Sequence, residues 1–169
     1  DLTLLQMATG LRVSEARTLM WDDIITDDQN RPACIIRAEN AKTGTTRVAA
    51  LVEPAVYEHL IRRRDEVGGA YVVGAPLNPD TEWDRYNAQK ALKAFYKDLA
   101  RDCGVPLLET YRTHVWRTTL NTMYRTDVDA LLRARTLGHS VDVNAQAYSD
   151  LSDLTTLYEA ARARRREEK

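Results

Sequence analysis

Cysteine is scarce in this sequence, with two residues, Cys34 and Cys103, among 169. They show no metal-ligand spacing and no reason to form a bridge, which excludes a disulfide scaffold and leaves two reduced, mostly buried thiols as the expectation. Long apolar runs are also missing. No stretch approaches the roughly 20 residues that cross a bilayer, and the opening Asp1-Leu2-Thr3-Leu4-Leu5 lacks the basic start of a secretory signal. A cytoplasmic protein with no membrane partner is therefore expected. Nor is there a basic excess: 24 Lys and Arg stand against 25 Asp and Glu, a net charge of −1. Spread evenly, that balance would argue against a nucleic-acid partner. The charge is instead bunched at Arg62 to Arg64, Arg133 to Arg135 and Arg162 to Arg166. The first group reads as a solvated helix face, and the last is open between that and a binding surface. Internal repeats and low-complexity linkers are absent, and 44% hydrophobic content supports a single core.

What the chain does have is helical spacing with one β-rich interruption. Leu2, Leu4, Leu5 and Ala8 predict a helix already under way at the first residues, as in a chain cut from something longer. Gly10 ends it, and Ser14 is expected to cap a second helix carrying Ala16, Leu19 and Met20. Arg12 falls at the junction. Cys34-Ile35-Ile36 and Arg47 to Leu51 read as strands of a small antiparallel sheet, with Lys42 on the hairpin between them. Pro54 opens a helix to about Glu66, closed by Gly68-Gly69 before a loop with a strand-like stretch, Ala70 to Val73. Helical spacing returns from Asp84 to Cys103, then over about 110 to 125, 127 to 137 and 142 to 148. After Ser152, Leu154, Leu157, Tyr158 and Ala161 mark an amphipathic tail helix spanning 152–169. The fold class expected is α+β, mainly α, with a small antiparallel three-stranded sheet on one side.

Several polar residues carry chemistry if they meet. Breaking a phosphodiester without a metal needs a nucleophile, a donor to the leaving oxygen and positive charge on the non-bridging oxygens. Arg12 and Arg117 suit the last role, because a guanidinium donates two parallel hydrogen bonds and stays protonated. Taken singly, each is more often an ion-pair or surface arginine, and Glu15 beside Arg12 serves either reading. Tyr148 offers a phenol nucleophile whose ordinary pKa near 10 requires a proton acceptor. His114, three residues before Arg117 on one helix, is suited to that task or to packing beside Trp116. His139 follows the helix-ending Leu137-Gly138, where it can bind a phosphate oxygen or favour the helix dipole. Lys42 can protonate a departing oxygen, or be an ordinary exposed turn lysine.

The order and local contexts of these six residues resemble the catalytic domain of the tyrosine recombinase (phage integrase) family, over nearly the whole chain. The resemblance rests on Thr9-Gly10-Leu11-Arg12-Val13-Ser14-Glu15, on Lys42-Thr43-Gly44 followed by Arg47 and an apolar strand, on His114 with Arg117, on Leu137-Gly138-His139-Ser140, and on Tyr148. It departs from the family at Thr118, where a second histidine is usual, and at Val115, where an acidic residue is common.

The resemblance implies a catalytic domain over residues 1–169, with N-terminal DNA-binding parts outside the sequence, and catalytic roles for Arg12, Lys42, His114, Arg117, His139 and Tyr148. It also implies strand cleavage in double-stranded DNA through a 3′-phosphotyrosine, without metal, ATP or other cofactor. A homotetramer on two DNA sites is implied as well, with the C-terminal segment exchanged between subunits or packed on its own. Two other readings stay open: a type IB topoisomerase-like enzyme, and a DNA-binding module with a decayed site.

Overall fold

The computed structural model describes residues 1–138, 157–159 and 161–164. Within them the expected class holds: the fold is mainly helical, with one three-stranded antiparallel sheet. Helix α1, Leu2–Thr9, buries Leu2, Leu5 and Ala8, the i, i+3, i+6 stripe that the spacing of its apolar residues predicts. It stops because Gly10 adopts φ 67°, a left-handed conformation costly for residues with a Cβ. Gly10 also lies close to Leu120 and Leu137, since an added Cβ would sit 3.3 Å from Leu120 Cδ1 and 2.5 Å from Leu137 Cδ2.

Helix α2, Val13–Arg17, is short, and its cap corrects the sequence expectation. Ser14 is inside the helix, and Arg12 is the N-cap residue, its backbone N–H donating to the Glu15 carboxylate at 2.7 Å. At the other end Arg17 pairs with Glu82 and donates to the Trp83 carbonyl at 2.9 Å.

The sheet orders β1 (Ile24–Thr26), β2 (Pro32–Ile36) and β3 (Arg47–Ala50) side by side. Register places Cys34 opposite Ala49 and Ile36 opposite Arg47. The Cys34 thiol is fully buried there, which pushes its pKa up to about 12 and leaves it inert. Cys103, by contrast, is exposed just before Gly104, so only one of the two thiols is buried. Helix α3, Pro54–Val67, starts on its proline as expected. Ala70 to Val73 does not form a strand, making only a bridge from Tyr71 to Met20. The strands here are the hairpin β4 (Gly74–Ala75) and β5 (Asn78–Glu82).

Helix α4, Arg85–Cys103, is capped by the Asp84 side chain and ended by Gly104. The single helix expected over 110 to 125 is instead two, α5 (Leu107–Tyr111) and α6 (His114–Met123). The break is Arg112 at φ 44°, ψ −130°, a conformation L-residues disfavour. Helix α7, Ala130–Leu137, begins on Asp129, whose side chain accepts from two amides, and ends at Gly138. Arg133 donates to the carbonyls of Tyr124, Arg125 and Val128. It thereby ties together the connection between α6 and α7.

Of the C-terminal tail, Leu157, Tyr158 and Ala161 are buried and helical, in one apolar cluster with Ala33, Ala50, Val52, Leu120 and Leu137. The Tyr158 hydroxyl reaches the carbonyls of Pro32 and Leu51, so these described tail residues pack on the sheet. The helix expected over 142–148, and Leu154, fall outside the described residues.

Arg112→Gly removes the backbone strain between α5 and α6. It should raise stability by about 1 kcal/mol in urea unfolding, and destabilisation would show that the Arg112 side chain offsets its own strain.

Candidate active site

One carboxylate collects the charged residues of three separate chain segments. Glu15, in the first turn of α2, is 1% exposed, and a bare carboxylate at that depth would be strongly disfavoured. Arg12 Nη1 donates to Glu15 Oε1 at 2.9 Å, and the Arg12 amide to Oε2 at 2.7 Å. Arg47, the first residue of β3, donates from Nη2 to Oε2 at 2.7 Å and from Nη1 to the Thr136 carbonyl at 2.5 Å. Arg117, on α6 and 2% exposed, lies 4.0 Å from Oε2 and donates from Nη1 to the Gly10 carbonyl at 2.9 Å. Arg12 Nη2 completes the set with a 2.7 Å bond to the Gly138 carbonyl. Arg117 Nη2 has no hydrogen-bond partner among the described residues.

Three guanidiniums therefore surround one carboxylate, and the cluster carries surplus positive charge. Burial pushes the Glu15 pKa up, but the Arg47 guanidinium and the Arg12 amide and guanidinium outweigh it and hold the carboxyl below its ordinary 4.5. Arg117 is pushed down to about 10, by burial first and by Arg12 and Arg47 second, with Glu15 opposing. It stays protonated at neutral pH, and an incoming anion would lower the strain of its burial. Arg47 is likewise pushed down by burial, with Glu15 opposing. Donors prearranged around surplus charge, with Arg117 Nη2 and Arg47 Nε unspent among the described residues, suit an oxyanion such as a phosphate.

Of the six residues that the sequence singles out, the structure brings two together, Arg12 and Arg117. His114 is the first residue of α6, one turn before Arg117, but it faces solvent where Arg117 is buried. Lys42 is exposed in the turn between β2 and β3 and makes no hydrogen bond or ion pair among the described residues. His139 and Tyr148 lie outside the described residues. Gly138, directly before His139, is fixed by Arg12 and packs against Arg47, where an added Cβ would sit 2.4 Å from Nε.

Sequence reasoning missed Arg47 as a member of the cluster. The signal was there in the period of two along β3. Arg47 shares the buried face with Ala49, and a cation at an inward position needs a buried anion.

The sequence profile of the phage integrase family matches residues 1–154, and the chain belongs to that family. Membership implies the catalytic domain of a site-specific recombinase that acts on DNA. Neither the curated proteins nor the solved structures include a match to the chain. Among the described residues, no helix is long and apolar enough to cross a membrane.

Two outcomes test this geometry. Gly138→Ala meets both a left-handed backbone, φ 62°, and the Arg47 guanidinium. It should cost about 2 kcal/mol or more in urea unfolding, and a loss below about 0.5 kcal/mol would contradict the close approach. Because the folded-state Glu15 carboxyl titrates below 4.5, its ion pairs stabilise the fold above that pH and are lost as pH falls through the depressed value. Glu15→Gln should cost about 3–5 kcal/mol near neutrality, for lack of a charge between the arginines. The gap to the unaltered protein should close on acidification, and a gap independent of pH would overturn the assignment.

Proposed function

We propose that this chain is a DNA strand-transferase that cuts one strand with Tyr148 and rejoins it to a partner strand. The observation that carries the reading is the convergence of Arg12 and Arg117 on Glu15, with Arg117 Nη2 unspent. In this mechanism the two arginines grip the non-bridging oxygens of the scissile phosphate, and stabilise the charge that grows there as the phenol oxygen attacks. His114, at the exposed start of α6, takes the phenol proton. The P–O5′ bond breaks as Tyr148 bonds to phosphorus, Lys42 protonates the leaving 5′ oxygen, and His139 donates to a phosphate oxygen. The product is a 3′-phosphotyrosine and a free 5′ hydroxyl. Attack by a 5′ hydroxyl on that ester restores the backbone and frees the tyrosine, so no outside energy source enters the balance.

The assembly that fits this chemistry is a homotetramer holding two DNA sites. Exchange of partners needs two cleaved duplexes at once, which also separates this reading from a topoisomerase that reseals its own strand.

Incubation with supercoiled plasmid in EDTA, followed by denaturation, should trap protein covalently joined to DNA. Tyr148→Phe should give no adduct while still binding plasmid, and an adduct from that variant would remove Tyr148 as nucleophile. Arg12→Ala and Arg117→Ala should each slow adduct formation by about 10²-fold or more. A loss below about tenfold would reduce either arginine to a positioning role. A strict magnesium requirement for cleavage would overturn the mechanism.

A further inference from the structure

We propose that Arg47 is a positioning residue of this site, occupying Glu15 so that Arg117 stays available to a phosphate. The inference rests on the strand-transfer reading above and adds to it a residue that touches no substrate. Arg47 is 7% exposed, and both of its Nη atoms are spent within the protein, on Glu15 Oε2 and on the Thr136 carbonyl. Its influence therefore passes through what it holds.

The argument turns on Oε2. A carboxylate has about four acceptor sites over its two oxygens. On Oε2 two are filled, by the Arg12 amide and by Arg47 Nη2, each at 2.7 Å. Arg117 Nη1 waits 4.0 Å away, bonded to the Gly10 carbonyl instead. Without Arg47 a site on Oε2 opens, and Arg117 is the cation next in line. Arg117 would then close onto Glu15, and charge meant for a phosphate would be neutralised within the protein.

The fork of Arg47 matters as well as its charge. One guanidinium spans Glu15 on α2 and Thr136 on α7 at once, which an ammonium cannot do with the same geometry. That span clamps the end of the hairpin bearing Lys42 to the turn that leads to His139, and only glycine at 138 leaves room for it.

The test is side-chain guanidinium NMR on the full chain, free and titrated with inorganic phosphate, for the unaltered protein, Arg47→Ala and Arg47→Lys. Thermal melting checks that each is folded. Arg47→Ala should shift the Arg117 resonance without any ligand and weaken phosphate binding about tenfold or more. Arg47→Lys keeps the charge but loses the fork, and should fall between the two. An Arg117 resonance and a phosphate affinity unchanged in Arg47→Lys would overturn the positioning role. This variant carries the test alone if Arg47→Ala does not fold. Plasmid adduct formation by the unaltered protein is measured alongside. Its absence would overturn the strand-transfer reading alone, since the ligand-free Arg117 resonance still answers for Arg47.

Discussion

Everything around the site depends on keeping the Glu15 carboxylate charged while it is out of water. Burial of one such group is tolerable only if donors and opposite charge surround it; here the donors come from its own helix start and from β3, and α6 adds the Arg117 charge 4.0 Å away. Each of the three charged neighbours is an arginine, and each donates to a backbone carbonyl: Gly138 for Arg12, Thr136 for Arg47 and Gly10 for Arg117. The carboxylate thus links the end of α1, the sheet and the end of α7 through side chains that carry more positive charge than it cancels. Binding capacity for an anion follows from the same arrangement that holds the segments together.

The short α2 extends this constraint outward. Its first turn holds Arg12 and Glu15, and its last residue, Arg17, is tied to Glu82 and the Trp83 carbonyl, directly ahead of the cap of α4. The sheet is anchored on its other side by the tail, through Leu157, Tyr158 and Ala161. Gly138, the last described residue before His139, is held by Arg12, and Tyr158 is held by the sheet.

Much of this was legible in the sequence because it is written in local patterns. Apolar stripes placed α1 and α4, Pro54 and Gly68-Gly69 placed α3, and the two β-rich runs placed β2 and β3, while β1 at Ile24–Thr26 was not singled out. Arg12 and Arg117 were found through their contexts. What failed to show was tertiary. Ser14 is a good capping residue by type, yet Arg12 takes the cap because the Glu15 carboxylate accepts its amide. The break at Arg112 carries no glycine or proline, and the residue adopts a backbone that its type disfavours. Arg47 looked like a strand residue beside a lysine hairpin. Its burial against Glu15, 32 positions away, could be inferred only from its inward position.

The most direct test of the central claim is the rate of covalent adduct formation on supercoiled plasmid by Glu15→Gln, measured beside plasmid binding. If Glu15 organises the arginines for the phosphate, the rate falls at least about tenfold while binding stays near that of the unaltered protein. An adduct rate equal to that of the unaltered protein would contradict the account, because the arginines would then hold their catalytic places without the carboxylate on which they converge.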